Sequence, residues 1–437
     1  VAEQVAARIA LWGQTVGAVA EEPSGQVVFQ YAPAFRTSGL EISPRHLPLS
    51  LAAPVSFPAL RPLEAFMGLP GVLADGLPDR FGSALIRQYF TREGTPEKAD
   101  RPIQRLLYVG RRAMGALEFL PPLAVGPATE EILQLTRLVE QARIVVAGRI
   151  DVAVPEMMRV GTSAGGARPK ALILWNRATQ EVRSGFAGPA PGFEPWMLKF
   201  DGVGELDAPD PHPQPYNRIE YAYTLMARAA GITTTDVELL TDRRLRHLLV
   251  RRFDRDAAGE RLHYHSLGGL DHADYNAPGT FSYEQYFLVC RELGLSPAEL
   301  DQAYRRAAFN IAAVNQDDHV KNFGFLMDRQ GRWTLAPAFD LTFARGAGFT
   351  RRHQMTLRGK TDGFTRDDLL AVGGTLGVKR DGAAVLDEVL AAVADWPRFA
   401  KQAHVPVERV RHVAAAHRAA ALRRGGRGNP GATSPAG

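Results

Sequence analysis

The polar octet Asn315-Gln316-Asp317-Asp318-His319-Val320-Lys321-Asn322 constrains this chain more than any other stretch, because of what stands on either side of it. Upstream, Ser296-Pro297-Ala298-Glu299 reads as a capping box with proline at the first helical position, and Leu300, Ala303, Tyr304, Ala307, Ala308, Ile311 and Val314 follow at helical spacing. Downstream, Phe323 to Met327 reads as a strand, Asp328-Arg329-Gln330-Gly331 as a hairpin turn, and Arg332 to Pro337 as the return strand, ending at Phe339-Asp340-Leu341. A hairpin brings the chain back to where it left. The loops bearing Asp317 and Asp340 are therefore expected to be neighbours. Oxygen-bearing side chains placed in this way suit phosphoryl chemistry: one carboxylate takes the proton of an attacking hydroxyl, while hard oxygen ligands hold Mg²⁺ on phosphates. A solvated polar loop that caps a helix is the plainer alternative.

Asp317 and Asn322 stand five apart, the spacing of the base and the metal-binding amide in a protein-kinase catalytic loop, and Asp340 takes the place of the metal-binding aspartate beyond such a hairpin. Lys199 ends the apolar strand segment Trp196-Met197-Leu198-Lys199-Phe200, so it either faces solvent from an edge or reaches a buried anion. Glu220, on the next helix, is its candidate ion-pair partner or a plain solubilising residue. Gly161-Thr162-Ser163-Ala164-Gly165-Gly166-Ala167-Arg168-Pro169-Lys170 offers either backbone amides to a phosphate or a flexible hinge, and it matches neither the Walker pattern nor GxGxxG. Arg251-Arg252-Phe253-Asp254-Arg255 either offers backbone groups to adenine or forms an internal Asp–Arg pair. Arg351-Arg352-His353 and Arg423-Arg424 read as solvated charge or a phosphate-contacting patch. His265 and Ser266 carry no motif, and nothing supports a zinc protease, a Ser-His-Asp hydrolase or a Rossmann site.

The remainder of the chain sets bounds on this reading. Its 437 residues suggest about three structural units. With 45% hydrophobic and 23% charged residues the composition is globular. A net charge of +5 permits a basic groove but is small for a dedicated nucleic-acid packaging protein. The single cysteine, Cys290, excludes an intrachain disulfide and a Cys-rich zinc site, and it reads as a buried thiol in an apolar helix. No apolar run reaches the roughly 18 residues of a membrane span, and the first residues lack a basic signal-peptide region. A reducing, cytoplasmic setting and no membrane partner are expected.

Glycine-punctuated alternation over 5–35 predicts an antiparallel meander, with helices expected from about Phe81 to Tyr89 and from Thr129 to about Arg143. Residues 1–150 thus form one α+β unit. Residues 151–255 carry the glycine loop and a small sheet with strands near 171–175, 182 and 196–200. Four prolines among nine residues make 207–215 a loop. Residues 256–424 turn mainly helical, including helices near 382–396 and 406–424, and 425–437 read as a disordered tail.

Taken together, these residues resemble the HipA family of bacterial serine/threonine kinases, toxin components of persistence-associated toxin–antitoxin systems and their stand-alone relatives. Leu47-Pro48-Leu49-Ser50, Leu77-Pro78-Asp79-Arg80-Phe81-Gly82 and Met114-Gly115-Ala116-Leu117 resemble the family's N-terminal subdomain. The resemblance implies a bilobal, kinase-like α+β fold with a small N-terminal accessory subdomain and a mainly helical C-terminal lobe. It implies Asp317 as catalytic base, Asn322 and Asp340 as Mg²⁺ ligands, Lys199 as the phosphate-binding lysine and Glu220 as its ion-pair partner. Gly165, Gly166, Ala167, Arg168, Pro169 and Lys170 match the nucleotide loop, and Ser163 matches the autophosphorylated serine. Arg251, Arg252 and Phe253 match the adenine side, while His319, Val320, Lys321 and Phe339 complete the ATP contacts. The expected cofactors are ATP and Mg²⁺. The implied partners are a protein substrate and a helix-turn-helix antitoxin, with DNA reached only indirectly. The nucleotide loop is richer in glycine than in the best-known toxin and looks more like stand-alone members. A catalytically weak ATP-binding regulator that contacts DNA or antitoxin, and a small-molecule phosphotransferase, are the rival readings.

Overall fold

The computed structural model describes residues 5–123, 131–149, 154–160, 168–187, 190–204, 214–256, 258–375 and 382–423. They fall into two compact units. The first comprises residues 1–217, 235–274 and 323–336, and the second 218–234, 275–322 and 337–437.

The first unit opens with the expected meander: β1 (Val5–Leu11), β2 (Gln14–Glu21), β3 (Val27–Tyr31) and β4 (Val55–Ser56), closed on the other edge by β5 (Leu117–Leu120). Trp12 and Gly13 both adopt positive φ (49° and 84°) between paired Leu11 and Gln14, the geometry of a type I′ hairpin turn. The helices α1 (Gly71–Ala74), α2 (Arg80–Arg92) and α3 (Pro102–Val109) follow β4. Asp79 caps α2, its carboxylate accepting the Gly82 N–H at 2.7 Å. Helix α4 (Leu135–Val146) starts later than the sequence suggested, with Thr129 and Glu130 outside the described residues. Leu133 instead donates its N–H to the carbonyl of Val182 at 2.7 Å, so this segment is drawn onto a strand rather than into a first helical turn. A one-turn helix, α5 (Pro155–Val160), precedes the second sheet.

That sheet contains the three expected strands, β6 (Lys170–Asn176), β7 (Val182–Ser184) and β8 (Phe193–Lys199). It gains β9 (Val237–Asp242) and β10 (Leu245–Arg251), giving the antiparallel order β7-β6-β8-β10-β9. Trp175 and Trp196 meet edge to face at 5.3 Å in its core, with Ile173, Leu198, Phe81, Leu138 and Ala142 packed around them. Helix α6 (Tyr216–Ala229) begins in the first unit, where Asn217 Nδ2 donates to the carbonyls of Lys199 (3.0 Å) and Arg246 (3.2 Å). A third sheet joins β11 (His263–Ser266) to the expected hairpin of Gly324–Met327 and Trp333–Leu335.

His265 and Ser266, unremarkable in the sequence, belong to a buried fastening. Ser43 Oγ lies 3.1 Å from His265 Nε2, and His265 Nδ1 lies 2.7 Å from Asp75, which also accepts the Ser266 hydroxyl at 2.6 Å. The order of atoms is that of a hydrolase triad. Ser43 is only 1% exposed, however, so no substrate reaches it, and the cluster ties the N-terminal region to β11.

The second unit is helical. Beyond the one-turn α7 (Leu267–Leu270) of the first unit come α8 (Tyr283–Glu292) and α9 (Pro297–Ala312), both opened by complete capping boxes, at Ser282 with Gln285 and at Ser296 with Glu299. Cys290 is buried in α8, as expected, and burial pushes its thiol pKa up. Helices α10 (Arg366–Thr375), α11 (Gly382–Ala394), α12 (Trp396–Gln402), α13 (Val407–Ala416) and α14 (Ala419–Arg423) complete the unit. The helix expected over 406–424 is therefore broken. Arg418 N–H bonds the Ala312 carbonyl at the end of α9, and His417 Nε2 lies 2.8 Å from the Tyr223 hydroxyl, so the chain gives up a helical turn to grip α9 and α6. Among the described residues, no helix is long and apolar enough to cross a membrane.

Candidate active site

Within the second unit, α9 ends at Ala312, Val314 turns the chain at a φ of +56°, and the polar octet follows. The octet folds on itself. Asn322 N–H bonds the His319 carbonyl at 2.9 Å, and Asn322 Nδ2 donates to the Asp317 carbonyl at 2.8 Å. The Asp317 side chain is 39% exposed, with one oxygen 3.9 Å from His319 Nε2. The Asp318 carboxylate is fully buried and engaged: it accepts the Tyr283 hydroxyl at 2.6 Å, faces His353 Nδ1 at 2.8 Å and accepts the Gln354 N–H at 2.7 Å. Asn310 and Asn315 extend this network, at 3.3 Å to the Tyr283 hydroxyl and 3.0 Å to each other.

His319 feels the charge of both aspartates the sequence singled out. Burial lowers its pKa, while Asp317 and then Asp340 pull it back up. Asp340 itself adopts a φ of +52°, a left-handed conformation that costs a non-glycine residue energy and that recurs at functional sites. Lys321 lies over the Tyr275 ring at 5.0 Å, and Val320 is buried. Asp317, His319 and Asn322 thus share one loop, and the charge of Asp340 reaches His319. Two protein oxygens, from Asn322 and Asp340, fit Mg²⁺, which keeps waters and phosphate oxygens for its remaining positions. No cluster of three or more His, Cys, Asp or Glu capable of holding a metal exists among the described residues.

The other expected residues lie in the first unit, apart from Phe339 and Glu220. Lys199 ends β8, 8% exposed and directly opposite Lys170 of β6. Like charges face to face on a sheet repel unless one is neutralised, and here Lys170 Nζ lies 3.3 Å from Asp79, both side chains buried. The sequence assigned Lys170 to the nucleotide loop and gave Asp79 no partner. Arg168 stacks over the Tyr216 ring at 3.5 Å, and Pro169 is buried. Ser163, Gly165, Gly166 and Ala167 lie outside the described residues. Glu220 is buried in α6, three residues beyond Asn217 and on the same helix face, in the second unit.

At the end of β10 the internal Asp–Arg pair is the reading that forms. Asp254 accepts Arg252 Nε and Nη2 at 2.9 and 2.6 Å, Arg255 Nη1 at 3.0 Å and the Gly115 N–H at 2.7 Å. Burial alone would raise its pKa, but the two guanidinium groups hold it well below the usual carboxylate range. Arg251 is half-exposed and paired with Glu194 and Asp236, and Phe253 faces Tyr264 at 6.0 Å. The glycine of Met114-Gly115-Ala116 is thereby explained, since a Cβ there would lie 2.7 Å from the Tyr264 nitrogen.

A family model of the HipA-like C-terminal domain matches residues 162–423, more than half of the chain, and a model of the HipA N-terminal domain matches 7–120. The chain belongs to the HipA family. Its α+β, kinase-like HipA fold, expected from the sequence, also appears in HipA of Shewanella oneidensis MR-1, solved as a toxin–antitoxin complex with HipB and operator DNA. That structure superposes with a TM-score of 0.63 at 18% identity over 96% of both chains. Y4mE of Sinorhizobium fredii, named as a candidate kinase, is 26% identical over 260 residues, 53% of this chain and 55% of that one. This HipA-family chain therefore spans about half the length of that curated relative.

The scaffold of Asp318, Tyr283, His353, Asn310 and Asn315 was missed by sequence reasoning. His353 stands directly after two arginines and looks solvated, yet it is fully buried. Only the proximity of two carboxylates, Asp317 and Asp318, hinted that one of them would be structural.

Proposed function

We propose that this protein transfers the γ-phosphoryl group of ATP to a serine or threonine hydroxyl of a protein substrate. The observation that supports this reading is one loop in which Asp317, partly exposed, lies 3.9 Å from His319 and Asn322 closes on the Asp317 carbonyl, with the charge of Asp340 felt at His319, while the Asp318 carboxylate is bound by the scaffold. Asp317 orients the acceptor hydroxyl and takes its proton. The hydroxyl oxygen then bonds to the γ-phosphorus as the bond to the β-phosphate oxygen breaks, and ADP leaves with that electron pair. Mg²⁺, held by Asn322 and Asp340, would neutralise the phosphate oxygens. Burial lowers the pKa of His319, against the pull of Asp317 and Asp340.

Family resemblance supports further roles. Lys199 supplies charge to the phosphates with Glu220 as its partner, and residues 165–170 with His319, Val320, Lys321 and Phe339 contact ATP. Arg251, Arg252 and Phe253 lie on the adenine side, and Ser163 is an autophosphorylation site. A cytoplasmic role as a growth-regulating kinase follows from the family, and a HipB-like antitoxin is the proposed partner by analogy with the Shewanella complex.

Asp317→Asn keeps the side chain's shape and removes the proton acceptor, so transfer should fall about 10²–10⁴-fold. Labelled ATP added to a cell lysate with wild type or the variant provides the test. A labelled protein band present only with wild type is expected. Transfer to small solutes alone, or undiminished transfer by the variant, would overturn the reading.

A further inference from the structure

One segment of the second unit has no role in the proposed chemistry: residues 345–352, Arg-Gly-Ala-Gly-Phe-Thr-Arg-Arg. Both of its ends are fastened to the loop that carries Asp317. On one side, Ala344 N–H bonds the Val314 carbonyl at 3.2 Å, and the Gln316 N–H bonds the Ala344 carbonyl at 3.0 Å. On the other, His353 and Gln354 hold the Asp318 carboxylate, and Gln354 Nε2 donates to the Gln316 carbonyl at 3.1 Å. The same Gln354 amide also bonds the carbonyls of Phe349 and Arg352, at 2.6 and 3.1 Å. The eight residues therefore form a closed loop whose base is the catalytic loop itself. Phe349, 43% exposed, meets the His319 ring at 6.4 Å, and His319 lies 3.9 Å from Asp317.

The chemistry of this loop is one-sided. Arg345, Arg351 and Arg352 are exposed, and none has a carboxylate at ion-pair distance among the described residues. From Leu341 to Thr361 the chain contains no Asp or Glu. The nearby cations are otherwise neutralised: Arg358 and Lys360 pair with Asp368, and Arg418 pairs with Asp362. Arg418 also feels the charge of Arg345. The carboxylates whose charge His319 feels are Asp317, Asp340 and the buried Asp318.

We propose that residues 345–352 are the substrate-docking loop of this site, and that they take an acidic stretch of polypeptide flanking the acceptor hydroxyl, with Phe349 as the apolar contact and Arg351 and Arg352 as the charge readers. The proposal rests on the protein-kinase reading given above. An exposed phenylalanine among the arginines suits a side-chain-bearing chain better than a phosphodiester backbone. The three arginines of this loop are also few against the six to ten phosphate contacts, roughly, of a dedicated nucleic-acid site. Exposed charge contacts of this kind act at longer range at low salt and are screened as salt rises.

Anisotropy of fluorescent serine peptides on the full chain tests this, using one sequence with Glu, Gln or Lys at the flanking positions, alongside a labelled oligonucleotide. At low salt the Glu peptide should bind about tenfold or more tightly than the Gln peptide, and salt should erase the difference. Arg351→Ala with Arg352→Ala should abolish the preference. Arg351→Glu with Arg352→Glu should turn it toward the Lys peptide, which a misfolded protein could not do. Equal binding of the Glu and Gln peptides, a preference untouched by either double variant, or an oligonucleotide bound more tightly through the same arginines would each overturn the proposal. Calorimetry of Mg·ATP on the same wild-type protein reports on the kinase reading separately. Absent nucleotide binding would sink that reading whatever the peptides do.

Discussion

Asp317 and Asp318 are neighbours of one type with opposite fates. One keeps its carboxylate partly exposed beside His319, and the other is buried under a tyrosine hydroxyl, an imidazole and a backbone N–H. Strand and helix periodicities cannot separate two adjacent aspartates in a loop. The kinase-like Asp317–Asn322 spacing pointed to the first, and Asn322 reaches back to the Asp317 carbonyl to close the loop. Asp318→Ala should remove the acceptor shared by the Tyr283 hydroxyl, the His353 ring and the Gln354 N–H in the core. A buried donor that loses its acceptor costs about 1–3 kcal/mol, so the urea midpoint should fall markedly. An unchanged midpoint would show that these bonds contribute nothing to folding. The candidate carboxylate Asp317 could thus be picked from spacing, while the scaffold around Asp318 could not, because Tyr283 and His353 each lie 35 residues away along the chain.

Elements were legible where local chemistry decides them. The capping box at Ser296, the turn at Asp328–Gly331 and the N-terminal meander need only neighbours in sequence, and all three form. Where a distant partner competes, local pattern fails. The helix expected from Thr129 yields to a bond with Val182, and the helix over 406–424 yields to Tyr223 and Ala312. Close element contacts are similarly invisible in sequence. Gly71 of α1 lies so near Gly269 of α7 that a Cβ on Gly71 would sit 1.9 Å from the Gly269 carbonyl oxygen. That oxygen is backbone and cannot move alone. Gly71→Ala should therefore force the two short helices apart at a cost of about 1–3 kcal/mol, read as a lowered melting temperature. A melt identical to wild type would show that the contact is soft.

At the scale of the whole molecule, acid should unfold this protein earlier than its carboxylates alone would suggest. Burial lowers the pKa of His247 and His417 to about 4 and of His263 and His272 to about 3. Two of these rings accept backbone N–H groups, His247 from Asp201 and His272 from Gly71, which only an unprotonated nitrogen can do. In the unfolded chain each titrates near 6.5. Above that value both states are neutral and stability is full. Below it the unfolded state takes up protons that the folded state refuses, so stability declines from about pH 6.5 down toward 3–4. Asp254, held low by its arginines, adds a loss below about pH 4. Melting temperatures measured across this range should be level near neutrality and fall steadily below it, and a level profile down to pH 4.5 or so would contradict the burial of these rings.

The chain passes between its two units five times, at 217/218, 234/235, 274/275, 322/323 and 336/337. The hairpin 324–335 belongs to the first unit, while Asn322 and Asp340, on either side of it, belong to the second. For the gene this has a consequence in inheritance. No single recombination breakpoint can exchange either unit whole, so the sheet that ends in Lys199 and the loop that bears Asp317 must descend and diversify together. The N-terminal family region, 7–120, is one uninterrupted stretch and lies under no such linkage. Novelty acquired by shuffling should accumulate there, and novelty in the rest of the chain should come one residue at a time.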